Sequence, residues 1–295
     1  MKKTISLVLV LVLGMATEVA KADFVFGTPT AFPYFATAPS ISTDGLSLYA
    51  DYGGGVGGYG GYDIWIYTRE TINDDWSGPV NLTAINSAYN DINVSVTADG
   101  LSLFFMSDRP GWHGKWDIWV STRETEKDDW GTSVNLGPPV NSAYREFTSC
   151  ISADGLELYI GSDRTGGSGG HDLWVARRAT KEDDWEEPVN LRLIVNSPSD
   201  EFFPNISADG LRLFFVSLRS GGYGGRDIWV TTRATKDSPW SEPVNLRPSI
   251  NTSAHEQMVI ISPKDSVLYF NSSRYGVYGS FDIWQMSIAP SSEVF

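Results

Sequence analysis

Ile206-Ser-Ala-Asp209-Gly210-Leu211-Arg-Leu-Phe-Phe215 decides the fold of this chain, because it reads as a strand end, a tight turn and a second strand. Asp and Gly tolerate the positive φ of a tight hairpin turn, and the alternation after them has the two-residue period of a half-buried strand. Related words stand at Ile41-Ser-Thr-Asp44-Gly45-Leu, Val96-Thr-Ala-Asp99-Gly100-Leu and Ile151-Ser-Ala-Asp154-Gly155-Leu, each 55 positions from the next. Ile261-Ser-Pro-Lys-Asp265-Ser is a fifth, divergent copy at the same interval. A fixed period of this length marks a repeat architecture.

Two further motifs keep a constant place in the unit. Asp-Ile-Trp or Asp-Leu-Trp begins at Asp63, Asp117, Asp172, Asp227 and Asp282, and a Trp followed by Val-Asn-Leu appears at Trp76, Trp130, Trp185 and Trp240. Each unit therefore reads as four short strands, and no segment has a helical period. The expected fold is all-β: a five-bladed β-propeller with four-stranded antiparallel blades, its repeats starting near residues 36, 91, 146, 201 and 256. The fifth unit stops after Asp282-Ile-Trp-Gln-Met-Ser-Ile288 with no outer Trp strand, while Phe26-Gly-Thr-Pro29 matches the spacing of Trp76-Ser-Gly-Pro79. An N-terminal strand is thus expected to complete the last blade and close the ring, leaving no open edge.

The repeated words, with the Ser-x-Arg and Gly-rich loop that follow them, resemble the TolB-like (WD40-like, PD40-type) β-propeller repeat of bacterial envelope proteins. The resemblance covers nearly all of residues 23 to 295. It implies a propeller, and it implies little about activity, because such repeats serve scaffolds, carbohydrate-active proteins and peptidases alike.

Residues 1 to 22 read as an export signal: Lys2 and Lys3 precede an apolar run from Ile5 to Leu13, and Ala20-Lys21-Ala22 is an A-x-A cleavage site. A periplasmic or extracellular location is expected, with residues 23 to 295 as one propeller domain. The single cysteine, Cys150, allows no internal disulfide, so packing and strand pairing must supply stability. The formal charge is -14, and removing Lys2, Lys3, Lys21 and Glu18 with the signal makes it more negative still. That excess repels nucleic acid and anionic membrane surface, leaving an envelope protein or a glycan as the expected partner of a monomer. No membrane insertion is expected, since no stretch approaches the ~20 apolar residues that spanning requires.

In a propeller the loops entering the inner strands and the Gly-rich loops share one face. An acid opens the inner strand at Asp91, Glu146, Glu201 and Glu256, and Ser-x-Arg ends the second strand at Arg109, Arg164, Arg219 and Arg274. In blade one these positions are Ala36 and Gly54, so acid and arginine are missing together. Joint loss points to four structural ion pairs within blades rather than a catalytic ring. The Asp of Asp-Ile-Trp is expected to hold amides of the Gly-rich loop, and Asn86, Asn141, Asn196 and Asn251 to form side-chain to backbone bonds in turns.

Nine of the eleven tryptophans fall at repeat positions and read as packing. Trp112 and Trp116 are exceptions, both in the Gly-rich loop of blade two. Across the five loops the centre carries Tyr59, His113, Ser168, Tyr223 and Tyr278. Trp112, His113, Trp116, Tyr59, Tyr223 and Tyr278 are therefore the candidate ligand-binding residues, suited to stacking on sugar rings or anchoring a protein. His113, His171 and His255 lack ligand spacing within one element, so no metal and no cofactor are expected. The expected function is a noncatalytic binding or scaffold propeller of the bacterial envelope. The alternative is a glycosidase or lyase using the carboxylates at the channel mouth.

Overall fold

The computed structural model describes residues 24–53, 57–111, 114–262, 267–274 and 281–290; the signal segment, Trp112, His113 and Tyr278 lie outside them. Blade one is built from Thr37–Ile41, Ser47–Gly53, Tyr62–Thr68 and Val80–Asn81, each strand hydrogen-bonded to the next in antiparallel order. Blade two repeats this with Asp91–Val96, Ser102–Ser107, Asp117–Thr122 and Val134–Asn135. Blades three and four start at Glu146–Ile151 and Glu201–Ile206 and end at Val189–Asn190 and Val244–Asn245. The fold is a five-bladed β-propeller.

Blade five takes Glu256–Ile261, Val267–Ser272 and Asp282–Pro290 from the end of the chain and its outer strands from the beginning. Thr30 and Ala31 lie opposite Gln285 and Trp284, as Val80 and Asn81 lie opposite Ile66 and Trp65 in blade one. The spacing match of Phe26 to Trp76 is therefore a true register match. Phe24–Phe26 extends the edge further, with Phe26 opposite Ile288.

A blade buries its faces only against its neighbours. Five apolar clusters fill the five seams, one between each adjacent pair; Tyr49 and Ile64 of blade one, for example, meet Val94, Leu103 and Phe105 of blade two. Full burial of such side chains is worth about 1.5–3 kcal/mol each. At the closing seam Phe32 is fully buried among Tyr67, Trp76 and Tyr269.

Several details depart from simple alternation. The outer strand is two residues long in every blade, and the Trp before it is held by stacking instead: Arg69, Arg123, Arg178 and Arg233 lie 4.2–4.5 Å over Trp76, Trp130, Trp185 and Trp240. Each of these arginines also donates from Nε to the carbonyl of the glycine in the Asp-Gly turn. That turn has the expected geometry, with Gly100 at φ +69°. Every inner strand carries an irregularity, and Ala38, Asn93, Phe203 and Met258 take positive φ there despite their side chains. Single helical turns, Arg192–Val195 and Arg247–Ile250, occupy two of the loops after the outer strands, too short to leave a helical period in the sequence.

Candidate functional site

The inner strands begin on the face of the Gly-rich loops and end on the face of the Asp-Gly turns. On the first face, Arg109, Arg164, Arg219 and Arg274 reach Asp91, Glu146, Glu201 and Glu256, the last three at 2.9, 3.1 and 3.4 Å. All four carboxylates are fully buried. Glu201 also accepts from Ser197 N and Oγ and from Ser217 Oγ, at 2.9, 2.6 and 2.7 Å. Asp91, Glu146 and Glu256 have the corresponding Ser87, Ser142 and Thr252 bonds. Each arginine donates besides to a loop carbonyl and to the serine two residues before it, and lies over the third-strand Trp of its blade. Burial pushes the Glu146 and Glu201 carboxyls above the ordinary carboxylate range, against the opposing pull of the hydroxyls and guanidinium groups.

Neighbouring polar groups are equally occupied. Asp63 accepts from Tyr59 N and Gly60 N at 2.6 and 3.2 Å, and Asp172 from Ser168 N and Gly169 N at 2.6 and 2.9 Å, so these aspartates order the Gly-rich loops. Asn86, Asn141, Asn196 and Asn251 each accept from one third-strand amide and donate to the carbonyl of the same residue, which is the bonding of a missing strand partner. The glycine of the loop is forced by close approach: a Cβ on Gly114 would overlap the Tyr144 carbonyl of the next blade. On the other face, Asp74, Asp128 and Asp183 cap their own turns through the amides of Thr71, Thr125 and Thr180.

Blade one solves the same corner differently. Ala36 is fully buried, Tyr52 stands at the register of Ser107, and its ring lies 6.3 Å from Trp65 and 5.2 Å from Phe35. Beside it Asp51 is buried, accepting from Thr37 Oγ1 at 2.6 Å and from Asn93 N at 3.1 Å, with no cation paired to it among the described residues. Burial raises its carboxyl to about pKa 7. In blade five Asn271 holds this register and its Oδ1 accepts from Ala38 N, so both residues cap the irregular inner strand of the following blade. Sequence reasoning had passed over Asp51, although its register partners Met106, Gly161, Val216 and Asn271 mark it as a departure.

Of the candidate ligand-binding residues, Tyr59 and Tyr223 are well exposed, at 59% and 51%. Trp116 is half-buried, and its carbonyl accepts from Glu146 N across the seam. No ring contact joins these three among the described residues. Phe147 and Phe202, which sequence reasoning did not single out, form the aromatic row of this face with His171, which was weighed only as a metal ligand: His171 lies 4.5 Å from Phe147 and 4.8 Å from Phe202, and its Nδ1 is 3.2 Å from Asp200 Oδ1. The signal of Phe147 and Phe202 was the change of residue type just after the inner-strand acid, which reads Thr37, Ile92, Phe147, Phe202 and Gln257 from blade one to blade five.

Two hollows open on the opposite face. One of about 430 Å³ sits at the channel end, ringed by Ile41, Val96, Ile151, Ile206 and Ile261. Ser40, Ser95 and Cys150 stitch its wall by accepting from the amides of Val96, Ile151 and Ile206 of the next blade. Burial pushes the Cys150 thiol up to about pKa 11, which leaves it an unreactive wall group. A second hollow, of about 440 Å³, lies between blades five and one beside Asp44, Arg69 and Gln285.

No family model matches the chain, and a search of curated proteins gives no match. Solved structures similar to it include TolB from Acinetobacter baumannii, with TM-score 0.52 and 12% identity over 88% of this chain and 54% of that one. An exo-β-1,3-galactanase from Phanerochaete chrysosporium gives 0.57 and 12% over 90% and 64% of the two chains. A thermostable family-43 glycoside hydrolase gives 0.56 and 12% over 89% and 92%. The chain spans about half the length of the TolB structure. Likeness at such identity is likeness of fold, and a TolB and glycosidases share it equally. The chain is therefore a five-bladed β-propeller of a kind that carries both binding proteins and enzymes.

Proposed function

We propose that this protein is a noncatalytic binding or scaffold propeller of the bacterial envelope, engaging a protein or glycan through the face of the Gly-rich loops. One observation carries the reading: each of the four acids at the channel mouth is fully buried and bonded to an arginine, a hydroxyl and a backbone amide. A glycosidase needs two carboxyl groups facing a substrate about 5 to 10 Å apart. Carboxylates saturated by their own blades neither accept a substrate proton nor attack a sugar. Exposed Tyr59 and Tyr223, with Trp116 between them in the chain, leave this face suited to stacking.

A glycan array and a partner pull-down, run with the parent protein and a Trp112→Ala/Trp116→Ala/Tyr223→Ala variant, test the reading. Loss of binding in the variant, with melting unchanged, is the expected result. Undiminished binding would reject this face. Hydrolysis of any arrayed glycan that disappears in Glu146→Gln or Glu201→Gln would reject the noncatalytic assignment.

A further inference from the structure

Two arginines on the face of the Gly-rich loops behave unlike the four that pair with acids. Arg145 and Arg226 are half-buried, and their guanidinium groups have no hydrogen bond or ion pair among the described residues. Both are instead supported from below by an aromatic ring: Arg145 lies 5.7 Å over Phe147, and Arg226 lies 5.3 Å over Phe202. The two rings are 6.5 Å apart, with His171 packed against both. The nearby carboxylates are engaged elsewhere. Asp200 accepts from His171 N at 2.9 Å and faces its Nδ1, and Asp163 accepts from Arg145 N at 2.7 Å.

Each cation also has an accessible aromatic of a Gly-rich loop beside it in the chain or across the seam. Trp116 forms a parallel bridge with Arg145, and Tyr223 shares the loop of Arg226. The same pair of groups, a flat guanidinium and an aromatic face, is thus presented twice, on either side of His171. A planar guanidinium is a two-pronged donor that matches a carboxylate, and one without a hydrogen bond or ion pair keeps that capacity for a ligand. In a chain of net charge -14 such an arc is also the place where an anion escapes general repulsion.

We infer that Arg145 and Arg226, with Trp116 and Tyr223, bind a polymer of uronic acid, each guanidinium taking a sugar carboxylate and each aromatic ring a sugar face. A repeating ligand suits a repeated site: acid group and ring recur along such a chain as they recur across these blades. The inference rests on the proposed use of this face and adds the class of ligand.

Titration of the mature protein with glucuronan oligosaccharides tests it, beside the same oligosaccharides with carboxylates reduced to alcohols and beside poly-L-glutamate. Expected are binding of the acidic oligosaccharide, affinity about tenfold weaker in Arg145→Gln and in Arg226→Gln, and a smaller loss in the lysine variants. Melting temperatures of these variants should match the parent, since neither guanidinium carries a structural bond. Glutamine variants that fold and bind as the parent does would overturn the inference. Poly-L-glutamate bound as tightly as glucuronan would overturn it in favour of an acidic peptide. Reduced oligosaccharides bound as tightly as acidic ones would overturn it while leaving the binding face in place. No binding of either saccharide would overturn it as well, the wider glycan array deciding the broader reading separately.

Discussion

Blades one and three share a backbone and differ in what fills the corner between inner and second strand. Blade three sets Glu146, Arg164 and Ser162 there, with the guanidinium 5.5 Å from Trp174. Blade one sets Ala36 and Tyr52 there, with an aromatic ring near Trp65, and adds Phe32, Tyr34 and Tyr67 in mutual edge or tilted contact. A buried ion pair saturated by hydroxyls and amides and a cluster of rings are thus interchangeable solutions to one packing problem. Removing half of the polar solution strands a charge, whereas replacing all of it does not. The corner is a structural element whose chemistry can change while the fold stays.

The largest test of this comparison removes what blade five borrows from the start of the chain and what seals it against blade one. Deleting residues 23 to 33 takes away the outer strand of blade five and the buried ring of Phe32 together. The melting temperature should fall by more than about 10 °C, given losses of several kcal/mol in a domain of this size. An unchanged melting curve would mean that neither seam depends on closure.

Next in size is the corner of blade three. Glu146→Ala leaves Arg164 uncompensated and should cost about 3–5 kcal/mol in urea denaturation. The combined Glu146→Ala, Ser162→Tyr, Arg164→Gly chain, which copies blade one, should recover most of that loss. If the combined variant is no more stable than Glu146→Ala, the two corners are not equivalent.

The smallest effect concerns Asp51. Its carboxyl, raised to about 7 by burial against an ordinary 3.8, keeps a proton in the folded chain that the unfolded chain has lost. The stability from that proton is complete below about pH 4 and disappears as pH rises through 7. Asp51→Asn, which copies Asn271 in blade five, should raise stability at pH 8 by about 1–2 kcal/mol. It should also flatten the decline between pH 4 and 7. An unaltered pH profile in that variant would place the titration elsewhere.

The ring, its closure and the strand order were legible because they depend on spacing: Asp-Gly turns 55 residues apart and an unpaired third strand at Asp282 leave few other arrangements. The ion pairs were legible through one absence, Ala36 with Gly54. What sequence reasoning missed are contacts that only the folded blades create. The Arg69 to Trp76 stack and the support of Arg226 by Phe202 form within a blade, while the caps from Asp51 and Asn271 cross a seam, and the linear repeat signals none of them. Positive φ at Ala38 and Phe203 gave no signal, since neither residue prefers it. The need for glycine at position 114 was equally hidden, because it comes from the approach of the Tyr144 carbonyl across the seam to blade three.

Pairing of Phe26 with Ile288 brings together positions 262 residues apart. Closing a flexible loop of that length costs about 5 kcal/mol of chain entropy if nothing between is ordered. Four blades already formed hold the two edges near each other and remove most of that cost. Assembly should therefore run around the ring and end at this clasp, so an otherwise folded chain can exist briefly as an open arc with both edges bare.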